Sequence, residues 1–372
     1  MIKVVHIIPS LGRGGAERML AGITRNPDGD VEHAIVTLLD EAPAFDFSPP
    51  VSSAGLHRRG VNLAGAIRLR AIVAQLQPDV VHAWLYHGCL ATLFLRSGPA
   101  PVIWAIHNSD LDRSRSKWTT RAVARVCQIA SGAVPAAIVY CAASSRTIHE
   151  RMGYDRSKGR VIKNGVDMAE YAFSPAGRER LRTEIGLKGS ELLFGCVARY
   201  DAQKGFETVA SAFADLGREV PARLLLAGDG CVSQNEMLQR TLSRSSIADR
   251  TILLGPRADV AAVMSALDVL VIGSAYGEAL PMVALEAACI GVHMVCTDVG
   301  DTPALMLDAA LVAPPDDPPR LAAAMRHAGA LVASGCGGAL LENRRQLVLA
   351  QHNLTEVARQ YHELYRALGR SA

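Results

Sequence analysis

Leu192-Leu-Phe-Gly-Cys-Val-Ala-Arg-Tyr-Asp-Ala-Gln-Lys-Gly205 is the stretch on which the fold turns. Leu192 to Val197 is a short uncharged apolar run, as expected of a strand buried in a helix-covered sheet. The polar loop after it puts Arg199 and Lys204 at the strand's C-terminal end, where open α/β sheets bind ligands. Two cations there suit a diphosphate, because contacts between charged donors and phosphate oxygens are the strong ones. The competing reading is a pair of solvated surface charges.

The same pattern recurs on both sides of this strand. Strand-like runs at Arg223–Ala227, Thr251–Leu254, Val269–Ile272, His293–Cys296 and Ala310–Val312 follow it, with helical patterns between them. An earlier series comprises Lys3–Ile8, Ala34–Leu38, Val80–Ala83, Val102–Ile106, Ala137–Cys141 and Val161–Lys163. Strands alternating with helices imply parallel sheets, so the class is α/β, and two series imply two doubly wound Rossmann-like domains. Turn residues cluster from Asn164-Gly-Val-Asp167 to Ser174-Pro175, which sets the expected division at residues 1–165 and 166–353. A last helix is expected over Leu354–Leu368, where Val357, Tyr361, Leu364, Tyr365 and Leu368 share one face.

Composition agrees with a globular chain of two domains. The 372 residues are 49% hydrophobic and 20% charged, with no disordered or collagen-like bias. A net charge of +3 conceals an asymmetry: residues 1–163 carry 20 basic against 12 acidic side chains, and the remainder 19 against 24. A basic first half suits an anionic partner, such as phosphate or a lipid surface, or ordinary solvation. The eight cysteines lie mostly in apolar stretches with no C-x-x-C spacing, as reduced thiols do in a cytosolic protein. The N-terminal apolar run is broken by His6 and is too short for a signal sequence. Val126 to Ala143 is split by Gly132 and Pro135, so it fits a helix end, a turn and a buried strand better than a membrane span.

Two further stretches carry chemistry. Ser10-Leu-Gly-Arg-Gly-Gly-Ala-Glu-Arg18 follows the first strand and opens a helix, a place where glycine amides approach an anion. It fails the dinucleotide pattern G-x-G-x-x-G because Glu17 stands where the third glycine belongs, and a plain tight turn is the alternative. Ser274-Ala-Tyr-Gly-Glu-Ala-Leu-Pro-Met-Val-Ala-Leu-Glu286 puts Glu278 in a loop, Pro281 at the first helical position and Glu286 inside an apolar helix, where a carboxylate needs a partner. Sugar hydroxyls on one carboxylate, ribose hydroxyls on the other and a diphosphate between them would satisfy the pattern. His82 and His87 are spaced five apart, which does not bring them together on a metal, and no G-x-S-x-G is present.

Taken together, Gly14-Gly15-Ala-Glu17, His107-Asn108, Asn164-Gly-Val-Asp167, Arg199 with Lys204-Gly205, Gly228-Asp-Gly230, Gly255 and the pair Glu278 and Glu286 resemble the retaining GT-B glycosyltransferases of family 4. The match runs in the family's order along nearly the whole chain. The resemblance implies a GT-B fold with the donor cleft between the domains and a C-terminal crossover helix, 354–372, returning to the first domain. It implies that Arg199 and Lys204 hold the diphosphate, Glu286 the ribose and Glu278 the sugar hydroxyls, that Gly14 and Gly15 close over the donor, and that His107 touches the donor sugar. His107, Arg199, Lys204 and Glu278 are thus the expected catalytic residues. Ala279-Leu280 replaces the family's usual Gly-Phe where backbone amides meet the sugar, which bears on donor identity, and the usual Gly-Gly-x-x-Glu is here Gly300-Asp-Thr-Pro-Ala304. No metal or other cofactor is expected, since no D-x-D at a strand end offers a metal-diphosphate clamp and two cations do that work.

The expected activity is retaining transfer of a hexose from a nucleotide diphosphate sugar, with UDP favoured, to a lipid-linked glycan acceptor in surface polysaccharide synthesis. Epimerisation of a nucleotide sugar on the same fold and transfer to a small soluble acceptor stay open. Arg113, Arg115, Lys117, Trp118, Arg121 and Arg125 form a cationic segment with an apolar face beyond it, which suits an anionic membrane surface or a solvated loop. The expected location is the cytoplasm, peripherally on the inner face of the cytoplasmic membrane, with no nucleic acid partner.

Overall fold

The computed structural model describes residues 1–26, 28–56, 63–95, 100–109, 111, 117–189, 191–217 and 220–369. The chain divides into two units, Met1–Gly165 with Leu354–Ala372, and Val166–Asn353.

The first unit is built on β1 (Ile2–Ile8), β2 (Val31–Leu39), β3 (Val51–Leu56), β4 (Val80–Trp84), β5 (Val102–Ile106), β6 (Ala137–Tyr140) and β7 (Gly159–Val161). These seven strands are parallel and ordered β3-β2-β1-β4-β5-β6-β7. The central strands are buried on both faces, which is why β1 and β4 read as almost uninterrupted apolar runs. The helix Leu354–Gly369 lies on this sheet and buries Val357, Ala358, Tyr361, Leu364 and Tyr365, each large side chain contributing about 1.5–3 kcal/mol. Arg366 and His362 on that helix both meet Asp28.

The second unit carries β8 (Leu192–Val197), β9 (Ala222–Ala227), β10 (Thr251–Gly255), β11 (Val269–Ile272), β12 (His293–Thr297) and β13 (Val312–Ala313), parallel and ordered β10-β9-β8-β11-β12-β13. Ser174 caps the helix Pro175–Glu184 by accepting from Gly177 N, with Pro175 at the first position. The α/β class and two doubly wound sheets expected from the sequence are both present.

Several local expectations are corrected. β3 has no counterpart in the sequence reading: Val51-Ser-Ser-Ala-Gly-Leu56 lacks an apolar run because it is an edge strand, pairing only with β2. β7 starts at Gly159 rather than Val161, and Ala309–Leu311 is a 3₁₀ turn before the two-residue β13. Pro281 is the N-cap, with extended ψ of 136°, so the helix starts at Met282. All eight cysteines are free thiols, seven buried and Cys336 exposed. No described helix is long and apolar enough to cross a membrane.

Candidate functional site

In the second sheet β8 lies between β9 and β11. The chain therefore leaves β8 toward one side and later fills the other, and the loops after β8 and β11 part at the C-terminal edge. Such a switch point is where open α/β sheets take their ligands. A small recess sits there, lined by Cys196, Val197 and Ala198 of the first loop's base, by Lys204, and by Val271–Ser274, Pro281 and Val283.

Each loop is held by its own backbone. Asp201 caps the 3₁₀ turn Ala202–Lys204, accepting from Gln203 N at 3.0 Å, and Gln203 O accepts from Ala275 N at 2.8 Å, tying the two loops together. Gly205 has φ +62°, and a Cβ there would stand 1.9 Å from Gly273 O, so the close approach of the loops requires glycine. The result is an ion pair between Lys204 Nζ and Glu278 Oε1, both largely buried. Arg199 is more than half exposed and lies 3.8 Å from Asp201. Glu286, in the helix Met282–Ile290, is 1% exposed. Ala279 and Leu280 are buried just before that helix.

Sequence reasoning missed what supports Glu278. Gly300 has φ +66°, and a Cβ on it would lie 2.2 Å from Glu278 O and 2.3 Å from Ala279 O. Asp301 N donates to Ala279 O at 2.7 Å. The chain beyond is fastened by Arg344, fully buried, whose Nε and one terminal amine donate to Leu305 O at 2.7 Å and Met306 O at 2.8 Å. Burial pulls that guanidinium's pKa down to about 10. The only sequence signal was the glycine at position 300 after an apolar strand.

In the first unit the loop after β1 reaches the helix Gly15–Arg25, with Gly14 as its N-cap in extended conformation. The Glu17 carboxylate lies against Gly14, about where a Cβ would point, and meets the positive end of the helix. His107 follows β5, its ring stacked on Trp84 with centroids 5.2 Å apart and planes at 24°. Burial lowers its pKa to about 4, so the imidazole is neutral near pH 7. Asn108 O accepts from Ser145 Oγ at 2.6 Å, which fixes the His107–Asn108 turn.

Lys117, Trp118, Arg121 and Arg125 lie at and within the helix Trp118–Ala130. Trp118, Ala122, Val126 and Ile129 are exposed along one stripe of it, opposite the buried Ala124 and Cys127, with Arg125 exposed beside them. Arg113 and Arg115 lie outside the described residues.

Two doubly wound parallel sheets, the second with a cation–carboxylate pair at its switch point, match the GT-B architecture. The chain is a glycosyltransferase: residues 13–170 match the family described as Glycosyltransferase Family 4, and residues 191–331 match the one described as Glycosyl transferases group 1. EpsF of Bacillus subtilis (strain 168), assigned to the glycosyltransferases, is 23% identical over 80% of this chain and 79% of its own. TuaC of the same organism, assigned to teichuronic acid biosynthesis, is 26% identical over 67% of this chain and 60% of its own. Among solved structures, HepE of Anabaena in complex with UDP and glucose superposes with a TM-score of 0.84 at 20% identity, covering 98% of this chain and 99% of its own.

Proposed function

We propose that this glycosyltransferase moves a hexose from a UDP-sugar to a lipid-linked glycan acceptor during synthesis of a surface polysaccharide, with retention of anomeric configuration. The observation that carries the donor half is the Lys204–Glu278 pair at the switch point of the second sheet, with buried Glu286 a turn into the next helix. Lys204 and Arg199 hold the diphosphate, Glu278 takes sugar hydroxyls, Glu286 takes the ribose, and the Ala279 and Leu280 amides face the sugar. Gly14 and Gly15 present amides to the donor, displacing the Glu17 carboxylate that lies against Gly14. The acceptor half rests on TuaC, a relative assigned to teichuronic acid biosynthesis.

No carboxylate is asked to attack the sugar. The leaving β-phosphate oxygen takes the acceptor's proton on the face from which the acceptor enters, and Arg199 and Lys204 offset the charge that develops on it. Neutral His107 hydrogen-bonds the donor sugar without adding charge. The two side-chain cations do the electrostatic work of a metal, so the reaction is expected to run in the presence of a chelator.

The deciding experiment is a calorimetric screen of UDP-, GDP- and ADP-sugars, starting from UDP-glucose, which is bound in a HepE structure. A UDP-sugar should bind and be turned over in the presence of a lipid-linked acceptor. Binding of no nucleotide sugar would remove the reading.

A further inference from the structure

Four buried histidines form a chain of ring contacts, two of them, His6 and His82, against the Trp84 on which His107 stacks, and the transfer chemistry uses none of them. His6 on β1 pairs with His82 on β4 in the strand register, and His33 on β2 and His362 on the C-terminal helix complete the group. All four are under 10% exposed. Tyr365 from the same helix bonds His82 Nδ1 at 2.8 Å, Tyr361 lies against His82 and Trp84, and Asp28 and Arg366 stand beyond His362.

The hydrogen bonds fix the protonation of His6. Trp84 Nε1 is a donor only, and it donates to His6 Nδ1 at 3.2 Å. The proton of neutral His6 is therefore on Nε2, which donates to His33 Nδ1 at 3.0 Å. A second proton on His6 would set N–H against N–H at Trp84 and break that bond. Burial, then repulsion from His33, His82 and His362, holds His6 well below its ordinary range. The indole so held packs against His82, centroids 4.4 Å apart, and against His107.

We propose that His6 and Trp84 are positioning residues for His107: neutral His6 fixes the plane of the indole, and the indole fixes the plane of the His107 ring. This rests on the reading that His107 meets the donor sugar. A ring that reaches one sugar hydroxyl must be held to a fraction of an ångström, and an indole pinned at its N–H and packed on its sides gives it a floor that does not rotate. A leucine at position 6 would fill the space and leave the indole N–H with nothing to bond.

The test uses the full chain and four variants, read by NMR of the His107 ring, by UDP titration and by turnover of a UDP-sugar. Trp84→Phe keeps an aromatic floor without the N–H. His6→Leu removes both hydrogen bonds. His6→Gln offers an oxygen to Trp84 and an amide to His33 without titrating. His107→Ala assigns the ring signal and gives the turnover without it. Trp84→Phe and His6→Leu should move the His107 signal, raise its titration midpoint and lower kcat on the order of tenfold or more, with UDP affinity unchanged. His6→Gln should rescue the signal and the rate. A His107 signal and midpoint unchanged in both Trp84→Phe and His6→Leu overturn the proposal, and if His6→Leu does not fold, Trp84→Phe against His6→Gln decides it. A moved signal with wild-type turnover leaves the positioning intact and removes His107 from the reaction instead.

Discussion

Lys204 Nζ and Glu278 Oε1 are ion-paired across the loops that follow β8 and β11, 74 residues apart in sequence. The carboxylate partly neutralises the cation that a diphosphate would seek. Lys204→Ala and Arg199→Ala should each weaken UDP binding by about 1.5–3 kcal/mol, the worth of a charge-assisted contact. Glu278→Gln should act in the opposite sense on UDP, tightening it up to roughly fivefold at low salt, while turnover of the UDP-sugar collapses. Calorimetry with UDP checks all three. Unchanged affinity in both cation variants sinks the diphosphate assignment.

Glu286 is held on an apolar helix at 1% exposure. If its carboxylate accepts from two ribose hydroxyls, Glu286→Gln keeps the shape, loses the charged acceptor and raises the donor KM with the fold retained. Normal donor affinity, or loss of the folded state, would mark it as a structural carboxylate.

Gly300→Ala tests the support beneath Glu278. An alanine at φ +66° costs about 1–2 kcal/mol, and its methyl would press on the carbonyls of Glu278 and Ala279. The expected outcome is a chain that still folds, with a lower midpoint in urea and a larger loss in kcat than in UDP affinity. Wild-type kcat in this variant would show that the Glu278 loop tolerates movement.

What the sequence disclosed follows from where the physical signal lies. Leu192–Val197, Val102–Ile106 and Val269–Ile272 match the observed strands residue for residue, because strands buried on both faces are written as apolar runs. Edge strand β3, with two serines and Gly55 in six residues, left no such trace. The loops bearing Arg199, Lys204 and Glu278 were legible because they abut legible strands. The support that Gly300, Asp301 and Arg344 give was not, although Gly300-Asp301 stood out as a departure from the family pattern, since their work is done through backbone carbonyls that no residue pattern records. The histidine group was equally hidden: His6, His33, His82 and His362 are brought together only by the strand order and the return of the last helix.

Those histidines set an acid limit on stability. Burial lowers His33 and His107 to about 4, and holds His6 and His82 well below the ordinary imidazole value. An unfolded chain takes up protons on them below about pH 6.5 while the folded chain does not, so their contribution is complete above that pH and is lost as pH falls toward 4. Each can remove up to about 1.4 kcal/mol per pH unit in that window. Urea unfolding should show stability falling steeply from pH 6.5 to pH 4.5. The carboxylates with lowered values, Asp28 and Asp259 among them, act only at lower pH. A flat profile between pH 6.5 and 4.5 would mean that the cluster admits protons without loss of structure.

The last prediction concerns whether the acceptor is met at a membrane surface. On the helix Trp118–Ala130, Trp118 and Ile129 are 76% and 70% exposed, and Val126 between them is exposed as well. Exposed apolar side chains in a stripe beside Lys117, Arg121 and Arg125 fit a headgroup boundary, where Trp enters the interface and each cation adds about 1 kcal/mol on an anionic surface. The protein should therefore cosediment with phosphatidylglycerol vesicles and much less with phosphatidylcholine, and the binding should weaken with salt as the surface charge is screened. Replacing Lys117, Arg121 and Arg125 by Ser should remove the salt-sensitive part. Trp118→Ala with Ile129→Ser should weaken binding at every salt concentration, and both sets should leave UDP affinity unchanged because none of these side chains is among those assigned to the donor. Equal binding to neutral and anionic vesicles, or none to either at low salt, would direct the search for an acceptor toward soluble molecules.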